Sequence, residues 1–188
     1  MPEKFGIVSC RPEMDAEQLL ESIKKGMVFL YPTDTVYGLG CNALDEKAVA
    51  GIYKIKGRDS TKPLSVIAPS IEWILENFRV SEEDVKNYLP GPYTIIAKKK
   101  DRKFLSAVSA GDNVGIRIPE HPITKLIQKA NVPFVTTSAN LSGGKSPASL
   151  EDVPAEIKGK VDVILIGNCI LKKPSTIIDM AAGKTIER

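Results

Sequence analysis

Histidine occurs once in the chain, at His121, and cysteine three times, at Cys10, Cys41 and Cys169. The cysteines are odd in number, widely spaced and lack a C-x-x-C pair, which excludes a disulfide framework and a cysteine zinc site. They read as small buried hydrophobes. His121 stands between Glu120 and Pro122 at a helix start and reads as a capping or surface residue, not a catalytic base. Without a G-x-S-x-G elbow or a Ser–His or Cys–His pair, no base-activated protein nucleophile is expected. Aromatic residues make up only 6% of the chain, so rows of base-stacking platforms are scarce. No apolar run approaches the roughly 18 residues of a membrane span. The opening Met1-Pro2-Glu3-Lys4 lacks a basic stretch followed by an apolar core, so a cytoplasmic protein without membrane contact is expected. Internal repeats and low-complexity segments are also missing.

What is present is the composition of a soluble globular chain: 188 residues, 43% hydrophobic and 26% charged, with a net charge of +3. That charge is too mild to imply nucleic acid by itself, so the placement of the basic residues matters more than their sum. Apolar periodicity predicts helices at residues 13–25, 46–56, 71–78, 82–89 and 122–130, with Asp45, Ser70 and Ser81 as caps of the second, third and fourth. Strands are predicted at residues 27–31, 64–68, 93–97, 114–118, 133–137, 161–166 and 176–179. Strands alternating with helices imply an α/β fold: a twisted open mixed β-sheet flanked by helices, in one domain over residues 12–188 behind a short segment 1–11.

Polar loops recur at the ends of these strands. Residues 28–40 form an apolar run cut by Pro32, then Thr33, Asp34 and Thr35, with Gly38 and Gly40 expected to turn the chain again. Such a loop is either an ordinary turn or a small-molecule site on a rigid strand end. Lys54, Lys56 and Arg58 gather at the end of the second helix, with Lys62 just beyond, where cations suit either the helix dipole or an anion site. Residues 98–103, Lys-Lys-Lys-Asp-Arg-Lys, read as a solvated hairpin face that would also suit an RNA backbone. Arg117, inside an apolar strand, requires an anionic partner, because an unpaired buried charge is costly. The strand at 133–137 delivers Ser138-Ala139-Asn140-Leu141-Ser142-Gly143-Gly144-Lys145-Ser146-Pro147. Its Gly144-Lys145-Ser146 imitates the close of a phosphate-binding P-loop, but Ala139 replaces the first glycine.

Five blocks, taken in order, resemble the YrdC-like family: residues 32–39 (Pro-Thr-Asp-Thr-Val-Tyr-Gly-Leu), Lys56-Gly57-Arg58 with Lys62-Pro63-Leu64, Gly115-Ile116-Arg117-Ile118-Pro119, residues 138–143 with Ser146-Pro147, and Ser175-Thr176-Ile177-Ile178-Asp179. The resemblance spans nearly the whole chain, the length of a stand-alone domain of that family. It implies a positively charged central cavity and a threonylcarbamoyl-AMP synthase, which joins L-threonine, bicarbonate and ATP, releases pyrophosphate and supplies threonylcarbamoyladenosine modification of tRNA. On that resemblance Lys56 and Arg58 are the catalytic cations and, with Lys62, grip the ATP phosphates. Thr33, Thr35, Arg117, Ser138 and Ser175 hold threonine, Arg117 taking its carboxylate. Asn113, Asn140, Ala148 (through its backbone) and Arg188 contact the nucleotide, and Mg2+ accompanies ATP without a dedicated protein cage. Implied partners are the small substrates and a tRNA or tRNA-modifying protein. The chain departs from the family's usual pattern at Asp59, Ile67 and Thr137, and it stops at Arg188 where relatives continue. Two other readings use the same residues: an RNA-binding module of this family, or a diverged nucleotide-binding member acting on another amine.

Overall fold

Residues 9–180 and 182–187, with side chains from residue 12 onward, are described by a computed structural model. The Cys10 side chain and Arg188 therefore lie outside the described residues. In chain order the elements are β1 (Ser9–Arg11), α1 (Ala16–Lys24), β2 (Phe29–Tyr31), β3 (Gly38–Gly40), α2 (Glu46–Lys56), β4 (Ser65–Ile67), α3 (Ile71–Asn77), β5 (Phe78–Arg79), α4 (Glu82–Lys86), β6 (Tyr93–Lys99), β7 (Asn113–Arg117), α5 (Pro122–Ala130), β8 (Phe134–Ser138), α6 (Ala155–Lys158), β9 (Val163–Ile166), β10 (Thr176–Asp179) and β11 (Lys184–Ile186).

Local sequence explains the helix limits. Asp15 and Gln18 form a reciprocal capping box on α1, and Asp45 accepts the Lys47 and Ala48 N–H groups of α2. Gly57 closes α2 in the left-handed region, at φ 55°. His121 caps α5, its Nδ1 accepting the Ile123 N–H at 3.3 Å. Burial holds its pKa below the ordinary histidine value, in keeping with a neutral capping ring.

The strands join in one mixed sheet of order β1-β9-β2-β3-β8-β4-β7-β6-β10-β11, with β5 added to β6. Two differences from the sequence reading stand out. Gly38 and Gly40 do not turn the chain; they form β3, paired antiparallel with β2 and β8. Their missing Cβ atoms make room for the Tyr31 ring over Gly38 and for the Val135 carbonyl and Phe134 ring against Gly40. The basic run at 98–103 is also not uniformly solvated. Lys99 is buried and donates to the carbonyls of Arg102 and Ser109, both at 2.9 Å, while exposed Lys98 and Arg102 face Asp112.

The register sorts residues between the two faces of the sheet. Val66, Ile95, Val114, Ile116 and Val135 point into one apolar layer with α2, α3 and α4. Alternate residues point the other way, where α1 and α5 cover Phe29, Tyr31, Ile67 and Phe134. The helices cover only part of that second face. Beyond them the same face continues through Ser65, Gly115, Thr136 and Ile96, and there it is concave and polar.

Candidate active site

A cavity of about 330 Å³ occupies this uncovered part of the sheet. Its floor carries Ser65 of β4, Thr94 and Ile96 of β6, Gly115 of β7 and Thr136 of β8. Gly115 leaves room for its neighbours: a Cβ there would lie 2.4 Å from Ser65 Oγ and 3.1 Å from Thr94 Cγ2, so Ser65 would have to turn. The walls are the polar strand ends: Thr33 and Thr35 after β2, Arg117 at the end of β7, Ser138 at the end of β8, and Ser175 before β10, where its hydroxyl meets Thr94 Oγ1 at 2.8 Å. Arg58, Asn113 and Ser146 complete the rim.

Arg117 is 6% exposed and Asp34 3%, and its Nη2 donates to Asp34 Oδ1 at 2.6 Å. Thus the anionic partner demanded by the sequence is supplied from within the chain. Nη1 donates to Thr35 Oγ1 at 3.1 Å, and Nε is the one buried side-chain nitrogen or oxygen without a partner among the described residues. The hydroxyls beside it have a fixed direction. Thr33 Oγ1 donates to the Val36 carbonyl at 2.8 Å, so the 2.9 Å contact between the two threonine hydroxyls is donated by Thr35. Thr35 therefore accepts from Arg117 and donates to Thr33, which leaves one lone pair of its hydroxyl uncommitted. Guanidinium and hydroxyl together offer donors beside an acceptor, the complement of a carboxylate next to an amine.

Other expected residues take different positions. Lys56 is only 2% exposed and does not line the cavity. Its Nζ donates to the carbonyls of Ser138 and Asn140, the latter at 2.7 Å, and its own carbonyl accepts the Ser142 N–H. It ties down the loop that presents Ser138. Burial, aided by the nearby Arg58 charge, pushes its pKa down to about 8 from 10.5. Between those values the unfolded chain binds more protons than the folded one, so stability rises with pH in that window. Denaturant titrations at pH 7.5 and 10 are expected to show this gain in the parent protein relative to Lys56→Met, at up to about 1.4 kcal/mol per pH unit; an identical pH response would exclude it. Arg58 is at the rim, its guanidinium braced by the carbonyls of Lys62 and Pro63, and it supplies the positive character of the lining, since Arg117 is matched by Asp34. Lys62 is exposed beside it and does not line the cavity. Asn140 spends its amide within its own loop, on the Leu141 and Gly144 carbonyls and on Ser138, and the Ala148 N–H is taken by Asp152 at 3.2 Å. Ile67 packs under α5, away from the cavity.

Sequence reasoning missed Ser65, Thr94 and Thr136. The available signal was a polar residue on alternate positions of otherwise apolar strands.

A family profile for Sua5/YciO/YrdC, described as telomere recombination, matches residues 21–188. The chain belongs to this family. A protein of Methanocaldococcus jannaschii, provisionally named a threonylcarbamoyl-AMP synthase, is 40% identical over 93% of the chain and 86% of its own length. The threonylcarbamoyl-AMP synthase of Aliivibrio fischeri is 33% identical over 91% of the chain and 97% of its length. Pyrococcus abyssi Sua5, solved in complex with L-threonine, superposes with a TM-score of 0.79 at 33% identity, over 93% of the chain but 54% of the longer Sua5.

Proposed function

We propose that this Sua5/YciO/YrdC protein is an enzyme, a threonylcarbamoyl-AMP synthase that converts L-threonine, bicarbonate and ATP to L-threonylcarbamoyladenylate, pyrophosphate and water. What supports this reading is that Arg117, bonded to Thr35, and the cation Arg58 line one cavity, an arrangement suited to an amino-acid carboxylate beside a phosphate. Such a nucleotidyl transfer needs no protein nucleophile. The carbamate formed from the threonine amine and bicarbonate supplies the attacking oxygen, and pyrophosphate leaves from the α-phosphorus. The protein holds the reactants together and stabilises charge. Arg117 takes the carboxylate, the spare Thr35 lone pair orients the amine, Ser138 and Ser175 line the carbamate side, and Arg58 faces the phosphates.

Mg2+ enters with ATP as part of the substrate. Among the described residues no three His, Cys, Asp or Glu side chains gather. Asp34 is committed to Arg117 and the Glu120 N–H, and exposed Asp59 accepts the Thr61 N–H. The activated product requires a consumer, a cytoplasmic tRNA-modifying enzyme.

Incubation with ATP, bicarbonate and radiolabelled threonine, followed by chromatography, is expected to give a labelled adenylate; label left only in threonine would refute the reaction. Arg58→Ala is expected to weaken ATP binding by about ten- to a hundredfold, the worth of one charge-assisted phosphate contact of about 1.5–3 kcal/mol. Calorimetry showing unchanged ATP affinity would return Arg58 to a helix-end role.

A further inference from the structure

Arg117 and Arg58 line the same cavity, yet only Arg117 is matched by a carboxylate at hydrogen-bond distance. Asp34 is not a mobile counter-ion. Its Oδ1 accepts from Arg117, its Oδ2 accepts the Glu120 N–H at 3.2 Å, and its backbone carbonyl accepts the Leu171 N–H at 2.9 Å. It is thereby fixed to the end of β7 and to the loop that carries Ser175. An unmatched buried guanidinium in a cavity also lined by Arg58 would draw any anion, phosphates first. Paired with Asp34, the wall has Arg117's donor pattern and no net charge. A ligand that brings one carboxylate and one ammonium is itself neutral and loses little against such a wall, whereas an anion without the ammonium brings a charge that the neutral pair does not offset.

We infer that Asp34 is the specificity-determining residue of the amino-acid subsite: acting through Arg117 as a positioning residue, it admits zwitterions and turns away simple anions. This rests on the reading that the subsite takes threonine. The Arg117–Asp34 pairing gives the effect a direction. Removing the Asp34 charge should improve binding of a carboxylate that has no amine while weakening threonine, because Arg117 gains free charge and loses its fixed orientation.

The test is calorimetry on the full chain with two probes, threonine and 3-hydroxybutyrate, which is threonine without its amine. Asp34→Asn is expected to bind 3-hydroxybutyrate about tenfold more tightly and threonine about tenfold more weakly than the parent. In Asp34→Asn/Arg117→Gln, which has no charge at the pair, the gain for 3-hydroxybutyrate should vanish. If Asp34 only supports the fold, both ligands weaken together and their ratio stays put, which overturns the inference. The parent protein provides a measurement that no misfolded variant can spoil: it should bind 3-hydroxybutyrate about a hundredfold or more weakly than threonine, and comparable affinities would overturn the charge filter. A parent that ignores threonine, with Asp34→Asn still gaining 3-hydroxybutyrate, would sink the amino-acid reading and leave the charge role standing.

Discussion

Arg117→Lys is expected to lower kcat/KM for threonine by about a hundredfold, equivalent to about 2.7 kcal/mol, while ATP affinity stays within about threefold. The substitution keeps the positive charge, so a purely coulombic role would survive it. What it removes is geometry. The guanidinium reaches Asp34 and Thr35 at once from a site buried on every side but the cavity, and its planar fork is the shape that grips a carboxylate at two points. A lysine ammonium has three donors on one compact centre, so it cannot bond Asp34 and Thr35 and still grip a substrate carboxylate at two points. Initial rates of pyrophosphate release against threonine concentration, with ATP binding followed separately, read the two effects apart. A backbone-phosphate contact to RNA would barely register the change, since affinity there follows charge count; an unchanged threonine response in the mutant would therefore favour the RNA-binding reading.

Gly40→Ala is expected to destabilise the fold by about 3 kcal/mol or more, the upper range for overpacking. An added Cβ would stand 2.0 Å from the Val135 carbonyl oxygen and 2.7 Å from Phe134 Cε1. Neither neighbour can yield. The Val135 N–H is bonded to the Cys41 carbonyl at 2.8 Å, and the Phe134 ring is wedged edge-on between Phe29 and Tyr31, with centroids 5.7 Å from each. At this chain length such a loss lowers the melting temperature by about 10 °C. Gly51→Ala is the control. Gly51 lies within α2 and a Cβ there meets nothing within 4 Å, so the change should stabilise by about 0.5–1 kcal/mol. Thermal melts that move both variants in the same direction would contradict the packing argument.

Helix α2 was legible to the residue, because Asp45 and Gly57 punctuate it on either side, and β10 and α5 were equally clear. Strand β3 was not, since Gly-Leu-Gly carries the local signature of a turn and becomes a strand only because large side chains on β2 and β8 occupy the space its glycines leave. For the site, the sequence pointed to Thr33, Thr35, Ser138, Ser175 and the two lining arginines, but not to the strand hydroxyls of Ser65, Thr94 and Thr136, nor to what each residue touches. A buried lysine that donates to two backbone carbonyls, as Lys56 does, and a solvent-facing lysine that meets a phosphate have the same one-dimensional signature. Asp34 was visible as a carboxylate in a polar loop. Its partner, Arg117, is 83 residues away in sequence, and only the register of β4 with β7 and β8 brings the two loops together.

The most direct measurement of the central reading is pyrophosphate release by the intact protein with MgATP, omitting threonine and bicarbonate in turn. Release that requires both, saturates with threonine and is accompanied by a threonine-containing adenylate is the expected result. Release that is indifferent to threonine, or none at all with every substrate present, would contradict it.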